Sequence, residues 1–249
     1  EPRLVEWVRD NRAATHSGER RRTAAVADEF DQIIQTLLDA RREHPAAEAP
    51  GGIDVTRELM TETVNRRPLE DTEIVSILRN WTAGDLGSLA TSIGVIVHFL
   101  ATRSEVQSVL RTQAHAGEDS AIEAAIEEIL RIDDPFVSNR RRATHEVELG
   151  GQRVEKDARL VLNWTAANRD PLVFDDPDRF DPIGNAHANL VFGIGPHMCP
   201  GRALTLMELR VVTQTLLAAT DHIELATERP AVRETRPAGG WARVPVVRR

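Results

Sequence analysis

Residues 192–201 read FGIGPHMCPG, and they hold Cys199, the only cysteine in the 249-residue chain. Gly193, Gly195 and Gly201 surround it, His197 stands two positions before it and Pro200 directly after. Glycine lets a backbone bend sharply and come close to whatever a neighbouring side chain touches. The next stretch, GRALTLMELRVVTQTLLAA (201–219), has the apolar spacing of a helix, so the sulfur sits at a helix entrance. Unpaired N–H groups and the partial positive charge there favour a thiolate over a thiol. A thiolate that receives backbone N–H bonds makes a good soft metal ligand. Two other readings stand beside this one. A lone cysteine is most often a small buried hydrophobe. A cysteine can also act as a nucleophile with a histidine base, although His197 is only two residues away and such partners normally meet through the fold.

The totals bound the rest. A chain of 249 residues, 41% of them hydrophobic, can bury a large core in one big domain or two small ones. With 28% charged residues it is not of disordered composition. Lys plus Arg is 31 against 39 for Asp plus Glu, a net charge of -8, and nothing here points to a nucleic-acid partner. Lys156 is the only lysine, so the positive charge is almost all arginine, which grips carboxylates bidentately. One cysteine excludes an internal disulfide and fits a reducing, cytoplasmic compartment. No stretch has the uninterrupted apolar length of a membrane span; SIGVIVHFLA (92–101) comes nearest and carries His98. No signal-peptide pattern opens the chain.

The first half is helical in pattern. EPRLVEWVRD (1–10) reads as amphipathic helix, and TAAVADEFDQIIQTLLDARR (23–42) has three- and four-residue apolar spacing. PAAEAPGG (45–52) breaks it. VTRELMTETV (55–64) predicts a short helix. Residues 69–103 predict a long one, apolar nearly all round after Trp81, as the central helix of a large fold is. EVQSVLRTQ (105–113) follows. In SAIEAAIEEILR (120–131), Ser120 and Glu123 fit a capping box. Then the period changes. HEVELGG (145–151) and RLVLNWT (159–165) alternate and predict a small antiparallel sheet. Residues 170–188 are dense in Pro and Asp and read as ordered coil, and 230–247 suggest a last hairpin. The fold class is mainly α with small antiparallel β sheets. The expected organisation is one domain over 1–249: helical to 131, sheets and coil over 132–191, cysteine loop and helix over 192–219, and a terminal hairpin over 220–249.

The spacing F-G-x-G-x-H-x-C-x-G is present in full: Phe192, Gly193, Gly195, His197, Cys199, Gly201. It resembles the haem-binding loop of the cytochrome P-450 family, the haem-thiolate monooxygenases. Leu204 and Glu208 also fall where that family has them, whereas Thr205-Leu206 replaces the usual Ala-Arg. Glu128 and Arg131 match the family's E-x-x-R, and one helical turn puts the two on one face. The resemblance implies a buried ion pair completed by an arginine from the coil before the cysteine, for which Arg179 in DPDRF is the candidate. RRATHEVELGG (141–151) resembles the strand whose arginine holds a haem propionate; the resemblance implies Arg141 in that role, with Arg140 and Arg142 as solvated alternatives, and His197 at the second propionate. AANRDPLVFDDPDRF (166–180) and GGWARVPV (239–246) are close to stretches of soluble bacterial members. Phe136, Val137, Ser138 and Asn139 match the family's loop over the haem, on the substrate side.

Family members are longer, and their central helix lies past the middle of the chain. The expectation is therefore the C-terminal portion of such a protein. The family also shows A-G-x-acid-Thr in the central helix, where the acid and hydroxyl relay protons. Here the stretch is Ala83, Gly84, Asp85, Leu86, Gly87, Ser88, so leucine and glycine occupy the acid and threonine positions. Ala83 and Gly84 are expected against the cofactor. Asp85 with Ser88, three apart on one face, forms a shifted relay on one reading; on the other, Asp85 is a solvated helix residue. Trp81 is read as a core residue or a pocket wall.

The resemblance implies haem b (iron protoporphyrin IX) with Cys199 as its iron ligand. It implies insertion of one oxygen atom from dioxygen into a small organic substrate. Electrons would come from NAD(P)H through a ferredoxin- or flavodoxin-type donor and its reductase. A peroxide-dependent haem-thiolate enzyme and a truncated, non-catalytic haem-binding remnant are the alternatives.

Overall fold

The computed structural model describes residues 2–44, 52, 54–235 and 238–248; residues 45–51 of the expected breaker run lie outside them. The chain divides into two compact units, one ending at Gly87 and the other beginning at Ser88.

The first unit is helical. Helices α1 (Pro2–Ser17) and α2 (Arg20–Glu43) are followed by α3 (Val55–Thr61), a hairpin of β1 (Thr63–Val64) and β2 (Arg67–Pro68), and α4 (Asp71–Thr82). The buried residues of α2 are Val26, Phe30, Ile34 and Leu38, spaced by four so that they share one face. Trp7 of α1 stacks at a tilt on Phe30 and donates its indole N–H to the carbonyl of Val26 at 2.8 Å. Asp54 caps α3 by accepting from the amide of Arg57 at 3.1 Å, and the Arg41 guanidinium grips the same carboxylate. The helix expected over 55–64 stops at Thr61. Asn65 and Arg66 both adopt positive φ, the geometry of a two-residue hairpin turn, and Thr63 pairs with Pro68 instead. A five-residue π-turn, Ala83–Gly87, closes the unit.

The second unit is built around α5 (Ser88–Thr102), the last part of the helix expected over 69–103, which is divided into α4, the π-turn and α5. It packs with α6 (Ser104–Ala116), α7 (Asp119–Ile132) and α9 (Arg202–Ala218) around Val95, Phe99, Leu100, Leu110, Ile126 and Leu209, all 1% exposed or less. By length and composition alone the helical run Asp71–Thr102 would pass as a membrane span. Within the unit, however, its second half is the central core helix. Gly117, at φ 71, ends α6, and its amide and that of Glu118 cap the last carbonyls. The buried Gln107 donates to the carbonyls of Leu100 and Ile223 and accepts from the Ile223 amide, tying the helices to β7 (Ile223–Leu225).

Three sequence expectations are corrected here. Helix α7 starts at Asp119 with no side-chain cap, because Glu123 instead bonds Arg210 of α9 at 2.9 Å. The expected pairing of 145–151 with 159–165 is not made. Strand β3 (Ser138–Arg142) pairs with β6 (Arg159–Asn163), while β4 (Val147–Leu149) turns at Gly150 and Gly151 onto β5 (Gln152–Val154). Alternation marks strands but does not choose partners, and the Gly-Gly turn takes the nearest one. Trp81 is 46% exposed and is no core residue. A short α8 (Trp164–Ala167), capped by Asn163, leads into the coil. The terminal region forms two pairings, β8 (Val232–Arg233) with β9 (Trp241–Arg243) and β10 (Val246–Arg248) with β7.

Candidate functional site

Cys199 lies three residues before α9, partly exposed. Its amide donates to the carbonyl of Phe192 at 2.7 Å, which closes residues 192–199 into a tight loop. Gly193 holds φ 74, and a Cβ there would meet the carbonyl oxygen of His197 at 3.2 Å, so the close crossing of the loop needs glycine. Gly195 also has positive φ, 66, but its Cβ would point into open space. At Gly201 a Cβ would stand 3.9 Å from Cys199 Sγ, ordinary contact. The Phe192 ring is half-buried beneath the loop, with the Arg202 guanidinium 5.8 Å from its centroid. His197 is exposed, and Arg141 is half-buried on β3.

Among the described residues no group of three or more His, Cys, Asp or Glu side chains could hold a metal ion. A metal at Cys199 would therefore have fewer than three such donors among the described residues, which suffices for iron already held by a porphyrin. One soft sulfur ligand, a loop in which a Cβ at Gly195 would meet nothing within 4 Å, and histidine and arginine side chains suited to carboxylates fit that group in chemistry.

The coil that leads to this loop is anchored on α7. Glu128 and Arg131 form the expected buried pair, with side chains 2% and 0% exposed and Nε to Oε2 at 2.7 Å. Arg131 also donates to the carbonyls of Asn168 and Pro177 and lies over the ring of Phe174. The Arg179 guanidinium does not complete the pair. It turns outward to Asp181 at 3.0 Å, and only its backbone carbonyl approaches Arg131, at 3.5 Å. The position is taken by Asn185, whose amide donates to Glu128 at 2.7 Å, and by the backbone N–H of Asp181 at 3.0 Å. An arginine there would add a second buried cation to a pair already neutral, whereas an amide completes the carboxylate at no charge.

The remaining expected residues fall in two places. Ala83, Gly84 and Asp85 lie in the π-turn and Ser88 begins α5, with Asp85 and Ser88 both half-buried. A π-turn closes on i→i+5 and rotates less per residue than an α-helix, so the backbone at Asp85 is wound more loosely than the sequence pattern implies. A Cβ added at Gly84 or Gly87 meets nothing within 4 Å. Phe136 bridges to Ala238 with its side chain exposed. Val137 lines a groove of about 510 Å³ with Asn163, Thr165 and Arg169. Ser138 and Asn139 belong to β3, opposite Asn163 and Leu162, and the side-chain Oδ1 of Asn139 accepts from the Trp164 indole. Half of the expected loop, Ser138 and Asn139, is therefore strand.

The fold and this loop together define a haem-thiolate class of protein. The chain belongs to the cytochrome P-450 family, whose model, described as Cytochrome P-450, matches residues 14–231. Linalool 8-monooxygenase of Pseudomonas putida is 29% identical over 205 residues, 82% of this chain and 48% of that protein. Cytochrome P-450 144 of Mycobacterium tuberculosis is 35% identical over 164 residues, 65% of this chain and 34% of that protein. The chain thus spans about half the length of these relatives or less. Among solved structures, open cytochrome P-450 EryK of S. erythraea superposes with a TM-score of 0.85 at 25% identity, covering 98% of this chain and 61% of that one. CYP108D1 of Novosphingobium aromaticivorans gives 0.81 at 25%, covering 100% and 57%.

Proposed function

We propose that this chain is the haem-binding part of a cytoplasmic monooxygenase in which Cys199 Sγ would bind the iron of haem b. The observation that carries the reading is the presentation of the only thiol at the mouth of α9, on a loop closed by the Cys199–Phe192 hydrogen bond. When bound, the cofactor supplies dioxygen activation, which thiolate donation favours. The chain's residues do the rest. Cys199 would bring the ligating sulfur. His197 and Arg141 would pair with the propionates. Phe192 and the glycines would lie beside the macrocycle. Phe136, Val137, Ser138 and Asn139 stand on the substrate side, and the substrate is a small organic molecule, as the name of the Pseudomonas relative suggests. Electrons arrive from NAD(P)H through a ferredoxin- or flavodoxin-type donor and its reductase. Arg202, one basic group near the loop, is already held by Glu127 at 2.6 Å and offers such a donor little free charge.

A second reading, a peroxide-driven enzyme, is favoured by one observation: the acid and threonine positions of the central helix are Leu86 and Gly87, inside a π-turn. Within residues 83–88, Asp85 and Ser88 then carry the side chains able to pass a proton. The carbon monoxide difference spectrum of the reduced, haem-loaded chain tests the first claim. A thiolate-type band that disappears in Cys199→Ser supports it, and an unchanged spectrum in that variant sinks it. Turnover with peroxide but none with a reductase system selects the second reading.

A further inference from the structure

We propose that Asn185 and Asn189 are positioning residues for Cys199: they pin the coil before the cysteine loop onto α7, in place of the guanidinium of Arg179. The inference rests on the proposed function only for why Cys199 must be placed; the pinning itself stands on geometry.

Glu128 is buried and charged, so each of its oxygens needs donors. Oε2 receives Arg131 Nε, while Oε1 receives a guanidinium N–H of Arg131, the Asp181 amide and the Asn185 side chain at 2.9, 3.0 and 2.7 Å. Four residues on, Asn189 donates its side-chain N–H to the carbonyl of Glu127 at 3.0 Å and accepts from the Val191 amide at 2.9 Å. Neighbouring Leu190 donates its amide to the side chain of the buried Asn168, whose own carbonyl is held by Arg131. The Leu190 carbonyl accepts from Gly193, and the Phe192 carbonyl accepts from Cys199. Hydrogen bonds and the short backbone stretches between them therefore link two adjacent residues of α7, Glu127 and Glu128, to the cysteine amide. Arg179 adds its side chain to none of these links.

Because the chain has one thiol, alkylation by iodoacetamide reports on this loop alone, with or without haem. In the full 249-residue chain, Asn189→Ala and Asn185→Ala are expected to speed labelling of Cys199 by about tenfold, the effect of one lost hydrogen bond to a charged or helical acceptor on the loop-open population. Asn185→Asp keeps the side chain's shape but sets a carboxylate against Glu128, and is expected to exceed the alanine variant. Arg179→Ala is expected to label at the parental rate. Circular dichroism melts identify any variant that unfolds globally, and Asn189→Ala then carries the test alone, since Asn189 touches no buried charge. Parental labelling in Asn189→Ala, or acceleration by Arg179→Ala equal to that of Asn185→Ala, overturns the inference. A haem spectrum indifferent to Cys199→Ser alongside accelerated labelling would refute the ligand role and leave the pinning intact.

Discussion

The imidazole of His98 lies flat on the indole of Trp241, with ring centroids 3.6 Å apart and an interplanar angle of 22°. The contact joins α5 to the terminal hairpin. Asp133 sits beneath both: the Trp241 N–H donates to it at 2.8 Å, Arg233 pairs with it at 2.5 Å, and His98 Nδ1 is 3.8 Å away. The Arg233 guanidinium in turn covers the Trp241 ring at 4.1 Å.

Burial pushes the pKa of His98 below its ordinary value, with Arg233 and Arg103 adding to the effect and Asp133 opposing it. A lowered folded value means that the neutral ring is the one the fold prefers. Its contribution is complete above about 6.5 and is lost as pH falls from there through the lowered value. Asp134, whose carboxyl burial holds above the usual range while Thr165 donates to it, acts with the opposite sign, its contribution being lost as pH rises from the usual carboxylate range through the raised value. Thermal melts between pH 7.5 and 5 should fall in the parent, and the fall should shrink in His98→Asn. Equal slopes in the two proteins contradict the assignment.

Removing one partner of the Glu128–Arg131 pair should be severe. Arg131→Met leaves a buried carboxylate facing only the neutral donors of Asn185 and Asp181. The expected loss is about 3–5 kcal/mol in denaturant-monitored unfolding. By contrast, Arg179→Ala removes only an exposed pair with Asp181, worth about 0–1 kcal/mol.

The two glycines of the cysteine loop should respond differently to the same change. Both have positive φ, which costs a side chain about 1–2 kcal/mol. Only at Gly193 does the added methyl also press on the His197 carbonyl. Gly193→Ala is expected to destabilise the chain more than Gly195→Ala and to disturb the Cys199–Phe192 hydrogen bond, read as faster amide hydrogen exchange at Cys199. Equal exchange in the two variants would falsify the crowding argument.

In the central helix, the paired change Leu86→Asp with Gly87→Thr restores the family's acid and hydroxyl. Both positions have room, since a Cβ at Gly87 meets nothing within 4 Å and Leu86 is exposed. The variant should raise the ratio of reductase-driven to peroxide-driven turnover severalfold. An unchanged ratio would show that proton delivery does not run through these positions.

The sequence by itself determined the class of the fold, the helical first half, the central helix, and the loop around Cys199. Each is a local pattern: apolar spacing, a change of period, and glycines at fixed offsets from one thiol. The Glu128–Arg131 pair was legible for the same reason, since three positions on a helix bring two side chains together. What fills the rest of that carboxylate was decided by tertiary structure alone. Arg179 has the better charge but lies on a coil whose path turns it to solvent, and Asn185, unremarked in the text of the chain, arrives beside Glu128 instead. The strand partners of β3 and β6 and the widening of the helix at Ala83–Gly87 belong to the same category. Partners distant in sequence meet only where packing and backbone hydrogen bonding have fixed the path of the chain between them, and no residue pattern encodes that path locally.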